Sequence, residues 1–112
     1  MSIIEQQSIR LSDIAFARSG DKGSASNVAV FAREPDHYPV LVEKLTETKV
    51  ADFFRALGPE KVTRYEVPNL HALNFVIAGV LDGGGSRSLR IDSQGKALGQ
   101  AILELELNLR TE

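Results

Sequence analysis

Short stretches of alternating apolar and polar residues run along this chain, and the points where the alternation gives way to a longer period predict its elements. Residues 1–8 are polar, with no period that would bury a face, and predict a flexible start. From Ile9 the pattern tightens: Ile14 and Phe16 alternate with Ala15 and Ala17, and later Val28, Val30 and Ala32 alternate with Ala29 and Phe31. Both stretches predict strands covered on both faces or nearly so. Between them, residues 17–27 read ARSGDKGSASN, too polar for a core, and predict a loop.

Two prolines in Glu34-Pro35-Asp36-His37-Tyr38-Pro39 predict a turn. Val40, Leu41, Leu45, Val50, Phe53, Phe54 and Leu57 then recur at three- and four-residue spacings, the pattern of one amphipathic helix or of two broken near Thr46–Thr48. Gly58-Pro59 stops it. Val62 to Val67 alternates as a third strand, ended by Pro68. Asn69 as N-cap, with Leu70, Leu73, Ile77 and Leu81 along one face, predicts a second helix, although Phe75-Val76-Ile77 suits a strand as well. Ser88 to Ile91 predicts a strand and Asp92-Ser93-Gln94-Gly95 a hairpin turn. Residues 97–102 fit either a bulged strand or a helical turn, and Leu103, Leu105, Leu107 and Leu109 alternate with polar residues as a last strand. The order strand, strand, helix, strand, helix, strand, strand gives an α+β two-layer sandwich, four to five strands with two helices on one face. Residues 9–112 are expected to form one domain, since 112 residues suffice for a single core.

Composition narrows the partners. With 43% apolar and 25% charged residues the chain has ordinary globular usage. Its 13 basic and 15 acidic residues give a net charge of −2 with no basic stripe, which disfavours nucleic acid. The absence of cysteine excludes disulfides, thiolate metal sites and cysteine nucleophiles. No stretch resembles a signal peptide or a membrane span, so the expectation is a soluble, cytoplasmic protein without membrane or metal partners.

The densest chemistry lies in Arg18, Ser19, Gly20, Asp21, Lys22 and Gly23, where glycines would let backbone N–H groups converge on an anion beside a cation. The run matches neither the P-loop nor the dinucleotide-binding pattern, and it reads equally as a solvated turn. Gly83, Gly84 and Gly85, followed by Arg87, form a second glycine-rich stretch, either a ligand clamp or a helix stop. Tyr65, Asn69, His71 and Asn74 gather near a strand-to-helix junction, with Asn27 a further amide. His71 and Asp21 are the acid–base candidates, although a histidine after an N-cap is more often a surface residue.

ARSGDKG at 17–23, SNVAVFAR at 26–33, RYEVPNLHALNFVIAGVLDGGGSRSLRID at 64–92 and GKALGQAIL at 95–103 together resemble the C-terminal domain of the acyclic terpene utilisation AtuA family. The resemblance implies a ferredoxin-like fold. Larger members carry the domain behind a bigger N-terminal one, which implies that this chain is a free-standing small protein working with a separately encoded large AtuA-type subunit. It further implies bacterial catabolism of acyclic terpenes or branched acids and an acyl-CoA or carboxylate ligand; no cofactor is expected. A last strand lying at an edge would favour a homo-oligomer.

Overall fold

In the computed structural model, which describes residues 8–22, 25–79 and 97–109, strand β1 (Ser8–Arg10) leads through a single helical turn, α1 (Leu11–Ile14), into a long hairpin. The hairpin is β2 (Ala15–Lys22) and β3 (Ala25–Ala32). Two helices follow, α2 (Tyr38–Lys44) and α3 (Glu47–Phe53), then β4 (Lys61–Val67) and β5 (Ala72–Ala78). Helix α4 (Ala97–Ile102) and strand β6 (Glu106–Asn108) complete the described chain. The main sheet is antiparallel with order β2-β3-β5-β4, and β6 pairs with β1 in a separate two-stranded sheet. The result is the α+β two-layer arrangement that the alternating pattern implied.

Burial falls on one side of the main sheet. Val28, Val30, Leu73, Phe75 and Ile77 are each 0% exposed and join Leu41, Leu45 and Val50 of the α2–α3 region and Ile102 of α4 in one core cluster. The residues between them face away, and Phe16 is 44% exposed. The expectation of strands covered on both faces is therefore corrected: the small Ala15 and Ala17 of β2 point to the core side and Phe16 to the open side.

The 17–27 segment is not a loop. β2 and β3 pair continuously from Ala15 opposite Ala32 to Lys22 opposite Ala25, which makes the stretch the far end of a hairpin. Polar residues fit there because one face of the sheet meets water. Gly23 and Ser24 lie outside the described residues, as do Leu81, the 88–91 strand, the 92–95 turn and the glycines at 83–85 with Arg87.

Three further expectations change. The helix over 69–81 is a 3-10 turn, Pro68–Leu70, followed by β5. A spacing of four, as between Leu73 and Ile77, satisfies a two-residue period as well as a helical one, and the full ladders to β3 and β4 decide the matter. The last strand is only Glu106–Asn108, because the carbonyls of Leu103 and Leu105 accept hydrogen bonds from the Ser12 and Leu11 N–H groups at the start of α1 (3.0 and 2.8 Å). Ser8 pairs with Asn108 and so belongs to β1 rather than to a flexible start.

Of the two readings for 40–57, the chain takes two helices. Thr46 caps α3, its Oγ1 accepting from the Lys49 N–H at 3.1 Å. Gly58, at φ 66°, ends the following 3-10 turn in the left-handed conformation. Arg64 fastens this layer to β4. Its guanidinium donates to the carbonyls of Val42 and Leu45, both at 2.9 Å, and pairs with Glu66 at 3.2 Å. Its backbone N–H, on an edge strand, donates to the Glu47 carboxylate at 2.7 Å. One residue thus satisfies two carbonyls at the end of α2 and is itself used to close the sheet edge. At the other edge α4 lies close on β2: a Cβ on Gly99 would sit 3.2 Å from the Ser19 backbone nitrogen.

Arg64→Ala should lose about 2–4 kcal/mol by denaturant unfolding, since it leaves two acceptors short of partners. Arg64→Lys should recover part of that, having a point charge but no fork. By contrast Arg55→Ala, at a 77% exposed side chain paired with Asp52, should stay within about 0.5 kcal/mol.

Candidate functional site

Antiparallel register sets out the open face of the main sheet in rows. Arg18 stands opposite Ala29, Ala29 opposite Asn74, and Asn74 opposite Tyr65. The next row toward the hairpin end is Gly20, Asn27, Val76 and Thr63, and on the other side lie Phe16, Phe31, Ala72 and Val67. Residues opposite one another in such a ladder share a face, so Arg18, Asn27, Asn74 and Tyr65 all belong to the surface that, among the described residues, carries no helices.

Each side chain there has a local reason for its state. Asn27 and Asn74 sit diagonally on neighbouring strands, and the Asn27 side-chain amide donates to the Asn74 carbonyl oxygen. That bond uses one Asn27 N–H and one lone pair of the Asn74 oxygen, and leaves the Asn74 amide N–H groups and the Asn27 oxygen for other partners. Phe16 and Phe31 are directly opposite and stack with ring centroids 5.2 Å apart and planes 11° from parallel. Tyr65 is 53% exposed on the edge strand β4. Arg18 is exposed. Among the described arginines, Arg10, Arg55 and Arg64 pair with carboxylates and Arg33 donates to the Ser12 carbonyl, whereas Arg18 has no such partner.

The remaining predicted residues are scattered. Ser19 and Asp21 occupy core-side register positions, opposite Val28 and Ser26, while Gly20 and Lys22 belong to the open face. Gly20 serves the hairpin itself, its carbonyl accepting from the buried Ser26 hydroxyl at 3.1 Å. An extended strand points successive N–H groups to opposite sides, so the anion cradle expected from the two glycines does not form at the described residues 18–22. Asn69 and His71 lie in the turn between β4 and β5, at the far end of the sheet. His71 holds φ 52°, the left-handed region, and its carbonyl accepts from the Ala32 N–H at 2.9 Å. Its ring meets Tyr38 edge-on at 5.8 Å. The Tyr38 phenol, raised above its ordinary range first by burial and then by Glu66, stays protonated and donates to the Ala72 carbonyl at 3.2 Å. By register His71 and Asp21 lie six positions apart along the strands, roughly 20 Å at the backbone, too far for an acid–base pair.

Phe16, Phe31 and Thr63 were missed as site residues. The available signal was the interleaving: Asn27 and Asn74 fall in the same alternate set as Phe31 and Val76, a polar admixture that a doubly covered strand would not tolerate. Among the described residues no cluster of three or more His, Cys, Asp or Glu forms a metal site, and no helix is long and apolar enough to cross a membrane. A shallow depression of about 300 Å³ between α3 and β6, lined by Lys49, Asp52, Phe53, Leu105 and Glu106, includes none of the predicted site residues.

Fold and site together define a two-layer α+β module whose second sheet face carries amides, aromatic rings and an arginine with no ion pair among the described residues. The family model for the AtuA ferredoxin-like domain matches residues 9–108, and the chain belongs to that family. No curated protein and no solved structure matches it.

The left-handed turn residue makes a direct check on this geometry. His71→Val should be less stable than His71→Asn by about 1–2 kcal/mol, because asparagine tolerates positive φ and a β-branched residue does not. Equal melting curves for the two variants would show that the turn is not left-handed.

Proposed function

We propose that the chain is a small subunit of a bacterial catabolic enzyme system acting on acyclic terpene or branched acyl-CoA or carboxylate compounds, and that it works by docking its open sheet face on a separately encoded large AtuA-type subunit. The observation that carries this reading is that, among the described residues, no helix lies on this face. Phe16, Phe31 and Tyr65 are left partly in water beside Arg18, and a sheet with helices on one side only has apolar area to gain by acquiring a second cover. Family membership supplies the catabolic context.

A second reading, an anionic ligand held on the same face, is favoured by one feature, the unpaired Arg18 in the same row as Asn74. It is weakened by the strand geometry of residues 18–22, which replaces the expected cradle of converging N–H groups.

Co-expression with the large subunit should yield a stable complex in sedimentation velocity at micromolar concentrations, and calorimetry of the isolated chain with short-chain CoA esters should give no heat of binding. Separate sedimentation of the two polypeptides would defeat the subunit reading. Saturable CoA-ester binding that is lost in Arg18→Ala would replace it with the ligand reading.

A further inference from the structure

Resting on the subunit reading, the charge of the open face points to what the partner must present. Register assigns Arg18 of β2 and Lys61 of β4 to this face, and among the described positions on the same four strands it carries no carboxylate. The chain as a whole is net −2, so the cation excess is local. The carboxylates that contact arginines are used on other surfaces: Glu66 and Glu47 bind Arg64, Asp52 binds Arg55, and Glu104 with Asp13 binds Arg10. Arg18 and the exposed Lys61 have no ion pair among the described residues.

The face is also polarised along the strands. Lys61 stands in the row of Ala25 and Ala78 at one end, whereas the Phe16–Phe31 stack and Val67 occupy the row at the opposite end, with Arg18 and Tyr65 between. A complementary surface therefore has an apolar patch at one end and carboxylates at the other. We infer that the open face is a docking surface for an acidic protein surface, its carboxylates meeting Arg18 and Lys61 and its apolar patch covering Phe16 and Phe31.

Two other occupants fit less well. A second copy stacked face to face brings cations against cations with no acid on either side, and like-charge juxtaposition across an interface is strongly unfavourable. Single-stranded nucleic acid needs aromatic faces free for base stacking, and Phe16 and Phe31 spend a face of each ring on one another.

The test measures affinity of the full chain for the co-expressed large subunit as a function of salt, with Arg18→Glu, Lys61→Glu and Phe31→Ser on the open face and Arg55→Glu as a helix-side control. Circular dichroism melts confirm that each variant is folded. The expected result is that each open-face charge reversal weakens binding by about tenfold at 50 mM salt and by less at 500 mM, where the Debye length is only a few ångströms. Phe31→Ser should weaken it at both salts, and Arg55→Glu should leave it unchanged. If the subunits associate but the open-face variants bind as the wild type does, the acidic docking surface is wrong and the subunit reading stands. If they do not associate at all, the subunit reading itself fails and the inference falls with it. Self-association of the chain that Phe31→Ser abolishes, or saturable binding of a fluorescent oligothymidylate, would also overturn the inference, in favour of a second copy or of nucleic acid respectively.

Discussion

Among the described residues the main sheet has helices on one face only, and that constraint governs what every strand residue can be. Residues of each strand alternate between a dry layer, where Val28, Val30, Phe75 and Ile77 are sealed against the helices, and a wet layer, where Asn27, Asn74 and Tyr65 keep contact with solvent. A one-residue shift of register would exchange the two layers, bringing Asn74 into the core and Phe75 into water. Four strands in unbroken antiparallel pairing make such a shift costly for all of them together. The surface chemistry of the open face is thus positioned by the packing of the opposite one.

Holding the helical layer in place is the work of a few polar groups at its ends. Helices α2 and α3 are seven residues each, too short to be stable alone, and leave several backbone groups unsatisfied at their junction. Arg64 satisfies two of those carbonyls, Glu47 returns a bond to the backbone of Arg64, and Thr46 caps the second helix. The helix–helix break and the β4 edge are therefore tied by the same residues. Loosening one exposes the other, which is why Arg64 matters more than its position on an edge strand would imply.

Much of this was legible from residue pattern alone. The α+β class, the strand at 62–67, the stop at Gly58 and the buried identities of Val28, Val30, Leu105 and Leu107 all follow from periodicity and turn chemistry. Failures came where one pattern served two structures. Leu73 and Ile77 fit a helix and a strand equally, and only pairing with two neighbours across the chain distinguished them. The polar run 17–27 reads as a loop in isolation, because polarity within a strand is invisible until one face of the sheet is known to meet water. A Gly-Ser dipeptide between extended stretches is a two-residue hairpin signal, and it stood in this run at residues 23–24. Of the candidate site, Arg18, Asn27, Asn74 and Tyr65 were named from local chemistry, but their common face was not, since it depends on the order of strands in the sheet.

The spread of that common face is what favours a protein partner in the proposed function. Strand geometry separates neighbours in a row by about 4.8 Å, so Arg18 and Tyr65, three strands apart, lie roughly 14 Å from each other at the backbone. A carboxylate or a phosphate is only a few ångströms across and can be held by Arg18 with Asn74, but it leaves Tyr65 and the Phe16–Phe31 stack without any role. A protein surface spans the whole row and covers the aromatic end as well. Sites for small anions gather their donors around a point, whereas here the polar groups are spread across a plane with apolar rings beside them, which is the geometry of an interface core with a charged margin.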